Sequence, residues 1–164
     1  MVVDDESRSS GAVFTELLPE PGDVRTLSDR LLGQGFRCVV LDGARMRADR
    51  GVFSEFASLL EFPGYFGFNW SALEDCLTDL DWFATPRGYV LVLLSADDVL
   101  LDQPDRLQTL VGLLHRAAAV WQSPVAIGEA WDRDAVSFRV MLQVSEKGRG
   151  RWIAAGAELG AEGL

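Results

Sequence analysis

A run of six consecutive apolar or aromatic residues, at positions 89–94, constrains the fold of this chain more than any other feature. A strand with one wet face alternates apolar and polar residues, whereas an uninterrupted run is typical of a strand buried on both faces of a parallel sheet. The turn-forming sequence Thr-Pro-Arg-Gly precedes the run. Because parallel strands need long connections that cover the sheet with helices, the run predicts an α/β fold.

The neighbouring segments follow in an order that fits such a sheet. Helices, indicated by apolar residues at three- and four-residue spacing, are predicted at residues 23–35, 49–60, 69–80 and 104–121. Further strands are predicted at residues 37–41 and 138–144. From residue 37 the order β-α-α-β-α-β therefore predicts parallel strands joined by right-handed helical crossovers.

The two ends of the chain have weaker patterns. Residues 1–22 are polar and then rich in Pro and Gly, which predicts a loosely ordered N-terminal arm with at most a short strand at residues 12–18. Residues 146–164 combine a short basic stretch with a Gly- and Ala-rich end and are predicted to be a flexible tail. The folded domain is therefore expected over residues 23–145.

The segment 61–82 has an unusual charge distribution. It contains five carboxylates and six aromatic residues, but no Lys or Arg. If residues 69–80 are helical, Trp70, Leu73, Leu77 and Leu80 form one stripe that faces a core. Ser71, Asp75 and Thr78 with Asp79 then follow one another on an exposed face, where no basic neighbour in the helix neutralises them. This face is either a binding surface for a cationic partner or an ordinary solvated helix face.

The same segment resembles a known protein family. Residues 63–78, PGYFGFNWSALEDCLT, resemble the binding loop and second helix of barstar, the intracellular inhibitor of the ribonuclease barnase. Residues 36–43, FRCVVLDG, resemble the first strand of that family, and the resemblance extends over about residues 35–144. It implies a barstar-like three-layer fold, in which a small parallel sheet of about three strands is flanked by helices, with an N-terminal extension added.

The resemblance also implies a site. Asp75 occupies the position of the central aspartate of the inhibitory helix, which blocks a ribonuclease by standing where the substrate phosphate would bind. Tyr65 and Gly67 match the loop that packs against the enzyme, Asn69 begins the helix, and Thr78 continues the contact face. The predicted partner-binding residues are Tyr65, Gly67, Asn69, Ser71, Glu74, Asp75, Thr78 and Asp79.

The chain departs from the family pattern at two of these positions. Ser71 stands where barstar has a second aspartate, and Glu74 stands where barstar has a tryptophan. The negative charge lost at position 71 reappears at positions 74 and 79. The departures leave open whether barnase itself is inhibited.

Charge and composition limit the partners. A formal charge of −10 argues against direct binding to nucleic acid or to an anionic membrane, since both require clustered Lys and Arg. The sequence shows neither a signal-peptide pattern nor eighteen consecutive apolar residues, so a cytoplasmic protein is expected. Cys38 and Cys76 lie in apolar patterns and are expected to be reduced. The expected partner is a small basic extracellular or toxin-type ribonuclease, bound by a chain that is monomeric when free.

The sequence gives little support for catalysis. His115 is the single histidine, which excludes metal sites with two or more imidazoles, and the common nucleotide, zinc and serine-hydrolase motifs are absent. No metal or cofactor is therefore expected, and the chain is not expected to be an enzyme. Two alternatives remain: a barstar-like interaction module without inhibitory activity, and a hydrolase that uses the acidic cluster.

Overall fold

The computed structural model of the protein describes residues 12–17, 24–85 and 87–160. The strands are β1 (Phe14–Leu17), β2 (Phe36–Asp42), β3 (Gly88–Leu94), β4 (Ser137–Gln143) and β5 (Leu159–Gly160). The α-helices are α1 (Val24–Gly33), α2 (Asp49–Leu59), α3 (Trp70–Asp79), α4 (Leu107–Gln122) and α5 (Glu146–Ala154). Short 3-10 turns follow β2 and β3, and a third one precedes α4.

The five strands form one parallel sheet in the order β2-β3-β4-β1-β5. The predicted α/β class is confirmed, and β2, β3 and β4 are the three strands that the sequence indicated. The expected count of about three strands was too low, because β1 and β5 extend the sheet beyond β4. β1 has four residues and was allowed for only as a short strand in the N-terminal arm, whereas β5 has two residues, too few to carry a periodic pattern.

Helices cover both faces of the sheet, as the apolar run of β3 predicted. Val90 and Val92 pack with Leu31 of α1 on one face. Leu91 and Leu93 point to the other face, where they join the main core with buried side chains of α2, α3, α4 and α5. The three-layer arrangement is thereby confirmed, and α3 lies on the side of the sheet opposite α1.

The segment after β4 differs from the flexible tail predicted for residues 146–164. Residues 146–154 form α5, in which the side chain of Trp152 is fully buried and its Nε1–H donates to the carbonyl oxygen of Ala96 at 3.0 Å. The Arg151 guanidinium donates to the carbonyl oxygens of Asp97 and Val99. Helix α5 and β5 are therefore part of the packed unit, and residues 161–164 of the predicted tail lie outside the described residues.

Helix α5 begins in contact with the loop after β3. The Ser145 amide donates to Asp97 Oδ2 at 2.8 Å, the Ser145 hydroxyl donates to Asp97 Oδ1, and the Gly148 amide donates to Ser145 Oγ at 3.1 Å. A Cβ at Gly148 would collide with the Asp97 carboxylate. The glycine that weakens the helical pattern in the sequence is therefore required for this close approach.

The strand considered for residues 12–18 exists as β1, so this part of the predicted arm is ordered. It pairs with β4 from Phe14 opposite Val140 to Leu17 opposite Gln143. Phe14 is fully buried, and its ring lies 5.0 Å from the ring of His115 in α4. The remainder of the predicted arm, residues 1–11 and 18–22, lies outside the described residues.

Both cysteines are free thiols, as expected from their apolar surroundings. Cys76 is buried on the inner side of α3, and Cys38 is half-buried in β2. Burial raises the pKa of both thiols, so they remain protonated and behave as small hydrophobic side chains.

Candidate partner-binding site

Helix α3 is held by the apolar stripe that its sequence predicted. Leu73, Leu77 and Leu80 are fully buried, and Trp70 is half-buried with its ring 5.1 Å from that of Phe53 in α2. The opposite side of the helix faces solvent. The register of the helix is therefore as predicted, and its polar residues are presented on the surface.

Asn69 is the N-cap of α3. Its Oδ1 accepts from the Ala72 amide at 2.9 Å, and its Nδ2 donates back to the carbonyl oxygen of Gly67 at 3.2 Å. A Cβ at Gly67 would lie 2.9 Å from Asn69 Nδ2, which is closer than side chains normally approach. Asn69 thus joins the preceding loop to the first turn of the helix, and Gly67 leaves room for it.

We expect Asn69→Ala to lower the free energy of unfolding by about 1 kcal/mol, the usual effect of losing an N-cap side chain. The Ala72 amide would lose its acceptor, and the loop would lose its link to the helix. Urea denaturation of the variant and the wild type gives the difference. Asn69→Asp retains the acceptor and serves as the control, since it should recover most of the stability. Equal stability of Asn69→Ala and the wild type would contradict a capping role.

The loop before α3 divides its aromatic residues between the core and the solvent. Phe66 is buried, with its ring 4.9 Å from that of Phe62. Tyr65 and Phe68, which lie before and after Phe66 in the loop, expose 76% and 58% of their surface. Phe66 therefore anchors the loop, whereas Tyr65 and Phe68 are available to a partner.

Both ends of α3 have unusual backbone conformations. Phe68 has a φ of +49° and Leu80, the C-cap residue, a φ of +46°. Residues other than glycine rarely adopt a positive φ. Each one that does so costs about 1–3 kcal/mol and persists only because its surroundings enforce the conformation. Burial of the Leu80 side chain in the core holds that residue in this backbone conformation. The Phe68 ring lies 4.8 Å from that of Phe66, yet the residue stays 58% exposed in this strained conformation.

The outer face of α3 carries the predicted polar residues. Ser71, Asp75 and Asp79 are exposed, and Thr78 is half-buried. The Thr78 hydroxyl is within 3.0 Å of the Glu74 carbonyl and 3.1 Å of the Asp75 carbonyl, so it donates to its own helix. Among the described residues, no basic side chain forms an ion pair with the Asp75 carboxylate. Asp75 is thus an exposed mid-helix charge without an ion-pair partner in the described part of the chain.

A second acidic group lies at the C-terminal end of the helix. Partial burial and the nearby Asp81 carboxylate together raise the pKa of Asp79 above its usual value. Two carboxylates crowded in this way repel each other. A basic group from a partner would relieve that repulsion.

Glu74 is not part of an unpaired acidic face. Its two carboxylate oxygens accept hydrogen bonds from Nε and Nη2 of Arg116 in α4 at 2.7 and 2.8 Å. This bidentate geometry is typical of a strong Arg–carboxylate pair. The face predicted to be unneutralised comprised Ser71, Asp75, Thr78 and Asp79, so this pair does not contradict it, but the sequence did not indicate Arg116 as the partner of Glu74. The missing information was the packing of α4 beside α3, which a helical pattern does not specify.

The ion pair gives a pH-dependent prediction. Hydrogen bonding to Arg116 lowers the pKa of Glu74 below its ordinary value of 4.5, so Arg116→Ala should return it toward that value. Because the folded-state pKa is the lower one, the pair stabilises the fold above the unfolded-state pKa, and this contribution is lost as the pH falls through the folded-state pKa. The side chains are partly exposed, so the contribution should stay below about 1 kcal/mol.

An NMR titration of the Glu74 side-chain carboxyl carbon in the wild type and in Arg116→Ala measures the shift. Arg106→Ala removes an exposed guanidinium from the turn before α4 and is the matched control. The same titration midpoint in all three proteins would show that the pair does not persist in solution.

Two other residues have structural contacts. Trp82 Nε1–H donates to the carbonyl oxygen of Leu60 at 3.0 Å, and Trp82 is half-buried. His115 Nε2 lies 3.2 Å from the carbonyl oxygen of Gly156, and its imidazole packs on Phe14. The single histidine therefore connects α4 to β1 and to the segment after α5.

The described residues contain neither a candidate metal cluster nor a candidate membrane-spanning helix. No group of three or more His, Cys, Asp or Glu side chains there is arranged to hold a metal ion. No helix within residues 24–85 and 87–160 is both long enough and apolar enough to cross a membrane.

A known protein family matches most of the chain. The family model described as "Barstar (barnase inhibitor)" matches residues 36–143, which is well over half of the chain and includes β2, β3, β4 and the helices between them. The matched range contains the whole candidate site and leaves out β1, α1, α5 and β5. No curated protein matches the chain.

Proposed function

The chain belongs to the barstar family, whose members bind and inhibit ribonucleases such as barnase, and on that premise we propose that it inhibits a small basic ribonuclease. The inhibitory surface consists of α3 and the aromatic loop before it. Inhibition is steric and electrostatic: the surface covers the active site and excludes RNA. The chain itself catalyses no reaction.

The exposed carboxylate of Asp75 is the observation that carries the proposal. A ribonuclease active site holds a phosphate with Arg, Lys and His side chains, and such a site attracts a carboxylate presented at the same place. A charge fixed on a well-packed helix is positioned before binding, so little conformational freedom is lost when the complex forms. Asp75 has this placement, because the inner side of α3 is anchored by Leu73 and Leu77.

The residues around Asp75 support a protein partner. Tyr65 and Phe68 supply exposed aromatic surface, the residue type that most often anchors a desolvated interface. Asp79 with Asp81 adds negative charge at the other end of α3. The formal charge of −10 would accelerate encounter with a basic enzyme by electrostatic steering. Ser71, Thr78, Asn69 and Gly67 complete the contact face.

The pairing of Glu74 with Arg116 bears on which enzyme is bound. Glu74 presents a neutralised pair, and the Arg116 side chain remains 57% exposed beside α3. Because the pair has no net charge, Glu74 adds little attraction for a basic target. The attraction for a basic target is therefore expected to come from Asp75 and Asp79 rather than from Glu74.

Such an inhibitor is useful where the ribonuclease could destroy cellular RNA. We therefore assign it to the cytoplasm of a cell that makes or meets a secreted or toxin-type ribonuclease. It acts there as a monomer that forms a one-to-one complex.

The test is RNA cleavage by a panel of small basic ribonucleases, barnase included, with and without the purified protein. Stoichiometric inhibition of at least one enzyme is the expected result. If the protein inhibits none but binds one of them, it is a barstar-like interaction module without inhibitory activity. RNA cleavage by the protein alone would instead favour a hydrolase.

A further inference from the structure

We propose that the loop between α4 and β4, residues 123–136, forms a second contact region for the same basic ribonuclease, with Ile127 and Trp131 as its apolar anchors. The inference rests on the proposed function and extends its binding surface beyond α3. The loop lies inside the range matched by the family model. None of the partner-binding residues predicted from the family resemblance lies in it.

The two largest apolar side chains of the loop lie in solvent. Ile127 and Trp131 expose 68% and 66% of their surface. The other four tryptophans of the chain are buried or half-buried, so Trp131 is the exception. A tryptophan buries about 150–250 Å² when it enters an interface, and it loses little conformational freedom because its side chain has only two rotatable bonds.

The loop has its own hydrogen bonds that hold this arrangement. Val125 and Arg133 form an antiparallel bridge with backbone hydrogen bonds of 2.8 and 2.9 Å. The Asp132 carboxylate accepts from the amides of Ile127 and Gly128 at 3.0 and 2.8 Å. The apolar side chains thus stand on a closed turn whose shape is set before a partner arrives.

Arg133 fixes the base of the loop to the end of α4. Its guanidinium lies 4.4 Å from the centre of the Trp121 ring and donates to the carbonyl oxygens of Val120 and Ser123 at 2.8 and 3.0 Å. Trp121 in turn donates from Nε1 to the carbonyl oxygen of Leu77 in α3 at 2.8 Å. Through Arg133 and Trp121 the loop is therefore in contact with the C-terminal half of the proposed inhibitory helix.

The charges of the loop indicate a basic partner. Glu129, Asp132 and Asp134 are exposed around the apolar pair, whereas the one basic side chain, Arg133, is directed at the carbonyl groups of α4. An acidic rim around an apolar tip fits an apolar depression bordered by Lys or Arg. It would be repelled by an anionic membrane surface, so a basic protein is the occupant that the charges favour.

The experiment uses the full chain and the ribonuclease from the panel that the wild type binds most tightly. Trp131→Ala is expected to weaken binding about tenfold or more and Ile127→Ala severalfold. Leu32→Ala, which removes an exposed apolar side chain from α1 on the opposite side of the sheet, should change it less than twofold. Trp131→Phe keeps an apolar ring and should retain most of the affinity, which separates loss of contact from loss of fold.

Hydroxyl-radical footprinting of the complex gives an independent result. Trp131 should be protected by the enzyme together with Tyr65 and Phe68. One outcome would overturn the loop contact and leave the proposed function standing. In that outcome Asp75→Ala disrupts the complex, but Trp131→Ala binds with unchanged affinity and Trp131 is not protected. Absence of binding to every enzyme would overturn both proposals. Loss of self-association in Trp131→Ala would make a second copy of the chain the occupant and would also overturn the inference.

Discussion

Replacing Asp75 by alanine is expected to weaken binding of the target ribonuclease by roughly thirtyfold or more and to leave the fold intact. Truncation of an interface hot spot typically costs about 2 kcal/mol or more. The barnase–barstar interface is itself a standard example of such hot spots, so the expected magnitude is that of hot spots in general. The physical reason is specific to the charge. Asp75 would face the phosphate-binding groups of the enzyme, and its removal would leave them desolvated and unpaired.

Stability should not fall in the same variant. Asp75 is an exposed mid-helix residue, and alanine has the higher helix propensity, so the midpoint of thermal unfolding should stay the same or rise slightly. Asp29→Ala is the matched control, because Asp29 is also exposed within a helix and its loss changes the net charge equally. Helix α1 lies across the sheet from α3. Inhibition constants for the two variants then separate a contact at Asp75 from a general effect of charge, and equal constants would remove Asp75 from the mechanism.

Replacing Trp152 by alanine is expected to lower the free energy of unfolding by about 3–5 kcal/mol. The side chain is fully buried, its ring centre lies 6.1 Å from that of Phe14 in β1, and its Nε1–H bonds to Ala96. The variant loses the packing of the ring and leaves a buried carbonyl without its donor. A loss of this size is a large fraction of the stability of an ordinary domain.

The neighbouring residue supplies the control for this prediction. Ile153 follows Trp152 in α5 and exposes 45% of its surface, so Ile153→Ala should change stability by less than about 1 kcal/mol. Urea denaturation followed by circular dichroism measures both variants. A small effect of Trp152→Ala would mean that α5 unfolds separately from the sheet.

The parts of the fold that sequence could predict are those with long and regular patterns. The apolar run of β3 and the stripe of α3 each contain enough residues to fix an element and its buried side. Helix α5 has nine residues, two of them glycine, and a single buried tryptophan, so its pattern resembles a mobile tail. Its stability comes from tertiary contacts with Asp97 and Ala96, which no local pattern reveals.

The same distinction applies to the site. The cap by Asn69 and the exposure of Asp75 follow from position within one helix, and both could be predicted. The pairing of Glu74 with Arg116 joins residues of two helices that are distant in sequence, and it depends on how those helices pack. The exposed tip formed by Ile127 and Trp131 was missed for a similar reason: apolar residues in an irregular segment do not indicate which side chains are buried.

The pairing of the first strand with the fourth has a consequence for how the protein is made. β1 is synthesised before its partner in the sheet, β4, and the whole segment from α1 to α4 is made between them. Closing so long a loop is entropically unfavourable, and sheets that depend on distant pairings fold slowly. Until β1 docks, one side of β4 offers unpaired backbone groups to other chains. The period between synthesis and closure is therefore when the protein would be most exposed to aggregation.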